Sequence, residues 1–439
     1  MAFVLPLIAR RLAARRPPVR VRPWPARPRG WSLRRVLGVL GPGLIAAAAG
    51  NDAGGIATYA SVGAEFGTAL LWALLLITLS LAVVQEMAAR MGAVTGKGLA
   101  ELIREEFGVR WATLAMLTLL VANGGTTIAE FAGIAAAAEL FGISKYLAVP
   151  IATALVWWVV VGPSYRAAER VFLALSAVFL TYILAAFLAR PDWAAVGWSL
   201  VTPTFHLQPD FLMAFITLVG TTITPYMQFF QQSAVVDKAV RMDEYPRERV
   251  DVLLGVLYSN LVAGFIIVAT ATTLFPAGIT VTSASDAARA LAPLAGQYAA
   301  ALFGAGLLGA SLLAASVLPL STAYAICGAF GWERSVSSGF QRARVFNGLY
   351  TALVLLGALV ALVPGLPLIG AIIASQFLDG LLLPIVLLFM LRLVNRPSVM
   401  GRYTNGLVLN LIAWATTLLL IALSLALLAS TLWPGLLGG

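Results

Sequence analysis

Apolar segments long enough to cross a lipid bilayer recur along the whole of this chain of 439 residues. A helix of about 20 apolar residues spans the roughly 30 Å hydrocarbon core. The sequence is 60% hydrophobic and only 11% charged, with a mean hydropathy of +0.92. This composition is typical of an all-α polytopic membrane protein and excludes a soluble enzyme. We predict eleven spans, at residues 36–64, 67–89, 111–141, 146–163, 171–189, 211–236, 250–275, 297–328, 345–363, 366–391 and 405–432.

The basic residues predict how these spans are oriented. When the connections are assigned alternately to two sides, all but three of the 29 lysine and arginine residues fall on one side. Basic residues concentrate on the cytoplasmic face, so we expect a cell inner (plasma) membrane protein with its N-terminus in the cytoplasm and its C-terminus outside. Residues 1–35 predict a disordered basic cytoplasmic arm attracted to the lipid bilayer. The net charge of +10 therefore reflects topology, and we expect no nucleic-acid partner.

An acid interrupts the first span. Asp52 lies near the middle of the span and is followed closely by Gly54 and Gly55. A carboxylate at membrane depth costs about 3 kcal/mol on insertion scales, so it marks a functional site by default. Glycine favours an unwound backbone, which the membrane tolerates only where it lines a cavity or is buried in protein. The pattern predicts a broken helix with an ion site at the break.

The sixth span carries a second interruption and enters the membrane from the opposite side. Pro225 lies at its centre, where it frees carbonyl groups that a cation could use. Two antiparallel units with matching broken first helices indicate an inverted-repeat transporter. We therefore predict a first five-helix repeat at residues 36–190, a second, inverted repeat at 211–394, and an eleventh transmembrane helix at 405–432.

Three further polar residues lie inside predicted spans. Glu130, in the third span, could relay protons or hold a hydrogen bond in a packing role. Gln376 and Asp379, in the tenth span, are three residues apart and share one helix face. They could form part of an ion site or gate, or they could make a packing hydrogen bond.

Several of these segments together resemble the Nramp family of divalent-metal transporters. The resemblance covers roughly residues 36–432. It rests on the GPGLI segment before the first break, the DAGG motif where the family has Asp-Pro-Gly-Asn, the ARMGAVTGKG segment after the second span, and Ser375-Gln376. The resemblance implies a LeuT-type inverted repeat of 5+5 helices, a fold like that of the amino-acid/sodium symporters.

The resemblance also implies a set of site residues. The family's metal ligands, carried over, fall on Asp52, Gly55, Ala49 or its neighbours by carbonyl, Thr221 by carbonyl, Thr224 and Gln376. Possible proton-handling or gating groups fall on Glu130, Asp379, Tyr226 and Gln231.

This chain departs from the family pattern at the predicted site. Thr224 stands where metal-transporting members have methionine, and Gly55 stands where they have asparagine. Tyr226 and Gln231 replace the family's two histidines in that helix, and Thr127 replaces an aspartate. A thioether favours softer transition metals, so its loss predicts an oxygen-only site. The smaller side chains predict a wider cavity, which suits a partly hydrated Mg²⁺.

These departures resemble the Nramp-related magnesium transporter branch. We therefore expect a secondary transporter that takes up Mg²⁺, and also Mn²⁺, without obligatory proton coupling and with no resident cofactor. A proton-coupled Mn²⁺/Fe²⁺ symporter that uses Glu130 as relay is one alternative. A sodium-coupled carrier of an organic solute on the same scaffold is another.

Overall fold

Helices form all the regular secondary structure in the part of the chain that the structure describes. This computed structural model describes residues 51–161, 177–333 and 343–432. The predicted basic arm and the first half of the first span, including Ala49, lie outside the described residues. The α-helices are α1 Ala53–Phe66, α2 Leu71–Thr95, α3 Leu99–Phe107, α4 Val109–Leu140, α5 Lys145–Val161, α6 Thr181–Leu188, α7 Trp193–Val201, α8 Pro209–Thr222, α9 Pro225–Asp237, α10 Tyr245–Thr273, α11 Ala284–Arg289, α12 Ala292–Ala295, α13 Ala299–Phe330, α14 Arg344–Ala361, α15 Leu368–Val394, α16 Pro397–Met400 and α17 Leu407–Leu432. Short 3₁₀ helices lie at Ala177–Leu180, Phe275–Ala277, Gly296–Tyr298 and Gly401–Tyr403.

Eight helical segments within the described ranges are long and apolar enough to cross a membrane. They correspond to predicted spans two, three and six to eleven. Of the first span only α1 is described, with 14 residues, and the helix of the fourth span, α5, has 17. The fifth span is described from residue 177 onward. The helix of the seventh span begins at Tyr245 rather than at residue 250, because a proline and an acid in its first turn favour a helix start there.

The predicted outer loop at 190–210 is not entirely irregular, which corrects the sequence-based assignment. Its middle forms α7, which is bent by 115° from the preceding segment Val178–Leu188. Asp192 caps α7, since its Oδ1 accepts hydrogen bonds from the backbone N–H groups of Ala194 and Ala195 at 2.9 and 3.1 Å. A helix-capping aspartate before an apolar stretch is a helix-start signal.

Helices α4 and α13 are matched in length and pack against each other. Each has 32 residues, and each holds the third place in its predicted repeat. Asn123 of α4 donates a hydrogen bond to Thr322 of α13 at 2.5 Å. A Cβ added at Gly133 of α4 would collide with the hydroxyl of Ser311 on α13. A glycine and small polar residues therefore let the two helices approach closely.

A buried polar network ties the start of α17 to the rest of the fold. Glu86 of α2 pairs with Arg90 at 3.2 Å and accepts a hydrogen bond of 2.6 Å from the Tyr245 hydroxyl of α10. The Arg90 guanidinium also donates to the backbone carbonyl of Tyr403 at 2.7 Å and to the side chain of Asn405. Both members of the ion pair are buried. The connection into the last helix is thus held by charge-assisted hydrogen bonds.

Candidate functional site

Asp52 caps the helix that follows the first predicted break. Its backbone is extended, with φ −78° and ψ −175°, and α1 begins at the next residue. Its Oδ1 accepts a hydrogen bond of 2.7 Å from the N–H of Gly55. Aspartate is a favoured N-cap, and the positive end of the helix dipole stabilises its charge. The carboxylate, 3% exposed, is therefore held at the N-terminus of α1 inside the protein.

The sixth span is broken at Ile223 and Thr224, between α8 and α9. Thr224 is extended, with φ −64° and ψ 137°, and Pro225 opens α9. In a continuous helix the carbonyl of Thr221 would accept from residue 225, but proline has no N–H to donate. The Thr224 hydroxyl donates to that carbonyl instead, at 3.1 Å. The side-chain amide of Gln228 lies 2.7 Å from the carbonyl oxygen of Thr224.

Gln376 of α15 contacts both broken segments. Its side chain lies so close to Gly54 that a Cβ added there would collide with its amide group. Its backbone carbonyl lies equally close to Gly220, where an added Cβ would also meet the Cα of Gly380 at 2.8 Å. Gly54 is two residues beyond the acid that caps α1, and Gly220 is two residues before α8 ends. One residue of α15 therefore touches the helix turns on either side of the site.

A second contact joins the broken segments directly. The hydroxyl groups of Tyr59 in α1 and Thr222 at the end of α8 are 3.2 Å apart and share a hydrogen bond. Both residues are buried. The Thr222 hydroxyl also donates to the carbonyl of Leu218 at 2.7 Å. Tyr59 is therefore the donor to Thr222, and its ring spans the space between the two segments.

Glu130 lies beside the first break. Its Oε2 accepts a hydrogen bond of 3.3 Å from the N–H of Ala53, the residue after Asp52. The Glu130 side chain is fully buried, and its Oε1 has no hydrogen-bond partner. The structure thus places two carboxylates at the start of α1, one in the cap and one on α4.

The other predicted gating residues lie in different surroundings. Asp379 accepts a hydrogen bond of 2.8 Å from Thr126 of α4. Tyr226 is buried in the first turn of α9. Gln231, further along α9, donates to Glu248 of α10 at 3.4 Å. Gln231 therefore belongs to a polar cluster on α10 rather than to the residues that Gln376 brings together.

The buried oxygens around the breaks are mostly neutral. Gln376 Oε1 and the hydroxyl of Thr221 are buried and have no hydrogen-bond partner. No group of three or more His, Cys, Asp or Glu side chains that could hold a metal occurs among the described residues. A cation at the breaks would thus meet one or two carboxylates and several neutral oxygens. Such a donor set suits hard, partly hydrated cations.

Sequence reasoning missed the residues that hold the site together. Gly220 and Gly380 let α8 and α15 meet, and Tyr59 and Thr222 join α1 to α8. Each is a common residue type in a membrane helix. The GxxxG-like spacing of small residues is the general signal for close helix contact, and neither glycine has a second one at that spacing.

The comparisons with known proteins agree with this architecture. A family model described as "Natural resistance-associated macrophage protein-like" (Nramp) matches residues 43–430. The chain belongs to the Nramp family. Two relatives are each named "Divalent metal cation transporter MntH". The protein from Burkholderia ambifaria is 26% identical over 89% of this chain and 88% of its own length. The protein from Deinococcus radiodurans is 28% identical over 94% and 93%.

Solved structures show the same Nramp fold. The Eremococcus coleocola manganese transporter, in complex with an aromatic bis-isothiourea substituted compound, matches with a TM-score of 0.73 and 22% identity, over 93% of this chain and 90% of that one. MhsT in complex with L-phenylalanine matches with a TM-score of 0.56 and 18% identity, over 88% and 98%. The predicted fold class, an all-α membrane protein of the LeuT type, is confirmed by these likenesses. Family membership and multi-pass architecture together make the chain a membrane protein.

Proposed function

We propose that this chain is a divalent-cation uptake carrier that works by alternating access, favours Mg²⁺ and also accepts Mn²⁺. The observation that carries the proposal is the position of Gln376, which contacts Gly54 beside one break and Gly220 beside the other. A buried acid, a freed carbonyl and an amide are thereby gathered between two interrupted helices. The names of the MntH relatives support a divalent-metal substrate.

In this proposal each site residue has a separate task. Asp52 neutralises part of the ion's charge from the N-terminus of α1. The carbonyl of Thr221 and the hydroxyl of Thr224 offer lone pairs, because each oxygen can accept more than one bond. Gln376 contributes its unpartnered Oε1. Gly55 adds no side chain, which leaves room for water on a cation that dehydrates reluctantly.

The preference for Mg²⁺ follows from the ligand at the second break. Thr224 presents a hydroxyl where a thioether would favour softer metals. Met227, one turn into α9, is buried, but it follows the break by three residues and lies inside the helix. The site as proposed is therefore built from oxygen alone.

Uptake without a proton is energetically feasible. We place the N-terminus in the cytoplasm, with residues 36–190 and 211–394 as the two repeats that move against each other. An inside-negative membrane potential contributes about 2.3 kcal/mol per charge per 100 mV, and a divalent ion gains roughly twice that. The potential alone could thus drive accumulation.

The test is flux into liposomes that contain the purified protein. We expect Mg²⁺ entry to rise with an inside-negative potential, with little acidification of the lumen. Liposomes with Asp52→Ala provide the matched blank. Proton entry in fixed ratio to the metal would contradict uncoupled transport.

A proton-coupled Mn²⁺/Fe²⁺ symporter is the second candidate, and one contact favours it. Glu130 accepts from the N–H of Ala53, so a carboxylate that could carry a proton lies one peptide from Asp52. In that case Glu130→Gln should abolish proton flux while metal binding remains. If proton flux is absent in the unaltered protein as well, Glu130 has a packing role.

A further inference from the structure

A third buried carboxylate lies apart from the two breaks. Asp379 is fully buried at the contact between α15 and α4. Its Oδ2 accepts from the Thr126 hydroxyl at 2.8 Å, and its Oδ1 has no hydrogen-bond partner. Within residues 51–161, 177–333 and 343–432 it forms no ion pair. A buried carboxylate that lacks a counter-charge is strongly unfavourable.

The nearest polar groups on α4 supply a second unpartnered oxygen. Asn123 precedes Thr126 by three residues, so both lie on one face of α4. Asn123 is fully buried, and it donates to Thr322 of α13 through its amide nitrogen. Its Oδ1 has no partner. Three helices therefore bring two orphaned oxygens, one of them charged, to neighbouring turns of α4.

The hydroxyl hydrogens in this group are already used. Thr322 donates to the carbonyl of Leu318 at 2.9 Å, and Thr126 donates to Asp379. What remains at the junction of α4, α13 and α15 is a set of oxygen lone pairs without enough donors. Buried acceptors of this kind need a cation or a water molecule.

This junction is separate from the metal site at the breaks. Thr126 lies one turn, about 6 Å along the helix axis, from Glu130. Asn123 lies about 10 Å from Glu130 along the same axis, toward the N-terminal end of α4. A cation held here would therefore leave the carboxylates at the start of α1 available.

We propose that Asp379, Thr126 and Asn123 form a binding site for a monovalent metal cation, of the size and hardness of Na⁺. A single carboxylate balances one positive charge, so the occupied site is neutral in a low-dielectric interior. A divalent ion would leave an unbalanced charge there, whose desolvation is costly. One bound cation would satisfy both orphaned oxygens, and the threonine hydroxyl would add a neutral ligand.

The test measures thermal unfolding of the full chain in lipid nanodiscs, with NaCl replacing choline chloride at constant ionic strength. The unaltered protein should gain about 2 °C or more in its unfolding midpoint, rising with the Na⁺ concentration. The gain should vanish in Asp379→Asn. It should persist in Glu139→Gln, which removes an exposed acid at the far end of α4.

Further arms keep the result decisive. If Asp379→Asn does not fold, Thr126→Val, which keeps side-chain shape and removes the hydroxyl, should weaken the Na⁺ effect. No Na⁺ effect in the unaltered protein, or an equal effect in both variants, overturns the site. Stabilisation by acid with none by Na⁺ identifies a protonated Asp379 and also overturns it. Mn²⁺ calorimetry on the same samples tests the proposed function separately, because the two sites share no residue.

Discussion

The two breaks in the membrane helices are built in opposite ways. At the first, Asp52 bonds forward, and its carboxylate caps the helix that follows through Gly55. At the second, Thr224 bonds backward, and its hydroxyl covers the carbonyl of Thr221 in the helix that precedes it. Both residues are N-caps with extended backbones. The first break thus presents a charge on a helix N-terminus, and the second presents neutral oxygens freed by a proline.

This division of labour has a physical basis. Charge at the first break supplies binding energy that depends little on the identity of the ion. Neutral oxygens at the second break supply geometry, and their number and softness discriminate between ions. Changes at the first break should therefore affect whether any divalent ion binds, and changes at the second should affect which one binds.

The largest effect is expected at the first break. Asp52→Ala should abolish Mg²⁺ and Mn²⁺ uptake, since it removes both the charge and the cap. Asp52→Asn separates these roles, because asparagine caps helices as well as aspartate does. We expect Asp52→Asn to unfold like the unaltered protein and still to bind no Mg²⁺ in titration calorimetry. Normal uptake in Asp52→Asn would show that the charge is not what holds the ion.

The next effect concerns the contact that joins the breaks. Gly220→Ala would push a methyl group into Gly380 and the Gln376 carbonyl. Overpacking of this kind costs about 1–3 kcal/mol in the free energy of unfolding. We expect a lower unfolding temperature and at least a severalfold loss of uptake. Gly348→Ala is the matched control, because an added Cβ at Gly348 in α14 meets no atom within 4 Å. Equal behaviour of the two variants would refute the close contact.

A selectivity change is expected at the second break. Thr224→Met should raise the affinity for Cd²⁺ and Mn²⁺ relative to Mg²⁺ by about tenfold, which is about 1.4 kcal/mol. Competition binding measures the ratio directly. Met227→Leu should leave the ratio unchanged. A shift in Met227→Leu would reveal sulphur at the site, and an unchanged ratio in Thr224→Met would show that Thr224 does not face the ion.

The smallest effect is expected where the two segments share a hydrogen bond. Tyr59→Phe removes the bond to Thr222 and should cost about 1 kcal/mol of stability. Since the Thr222 hydroxyl keeps its bond to Leu218, no donor is orphaned. Cation affinity should fall about twofold. Tyr350→Phe, which removes a similar bond of 3.1 Å to the Val156 carbonyl, should lower stability alone. A twofold loss of affinity in both variants would mean that the effect is not specific to the breaks.

Local chemistry explains what the sequence predicted. The second break was predictable because Pro225 cannot donate to the preceding turn, and the structure interrupts the helix directly before it. The start of α1 was predictable because an aspartate followed by glycines favours a cap and a loose backbone. The apolar spans were predictable from length alone, since each needs about 20 residues.

Long-range packing explains what it could not predict. Nothing in the sequence near Gln376 indicates that its amide lies against Gly54, more than 300 residues away. The partner of Asp379 could not be identified either, because Thr126 is one of several hydroxyl residues in the third span. The helix α7 escaped notice because its apolar stretch is too short to span a membrane and lies between connections that look irregular.

The network around Arg90 has a consequence for the last helix. Its guanidinium is satisfied by the carbonyls of Tyr403 and Thr404 and by Asn405, all just before α17. A chain shortened ahead of these residues would leave an arginine in the protein interior with only Glu86 to neutralise it. Such a loss costs several kcal/mol. The eleventh helix is therefore expected to be indispensable for assembly, even though it lies outside the ten helices of the repeats.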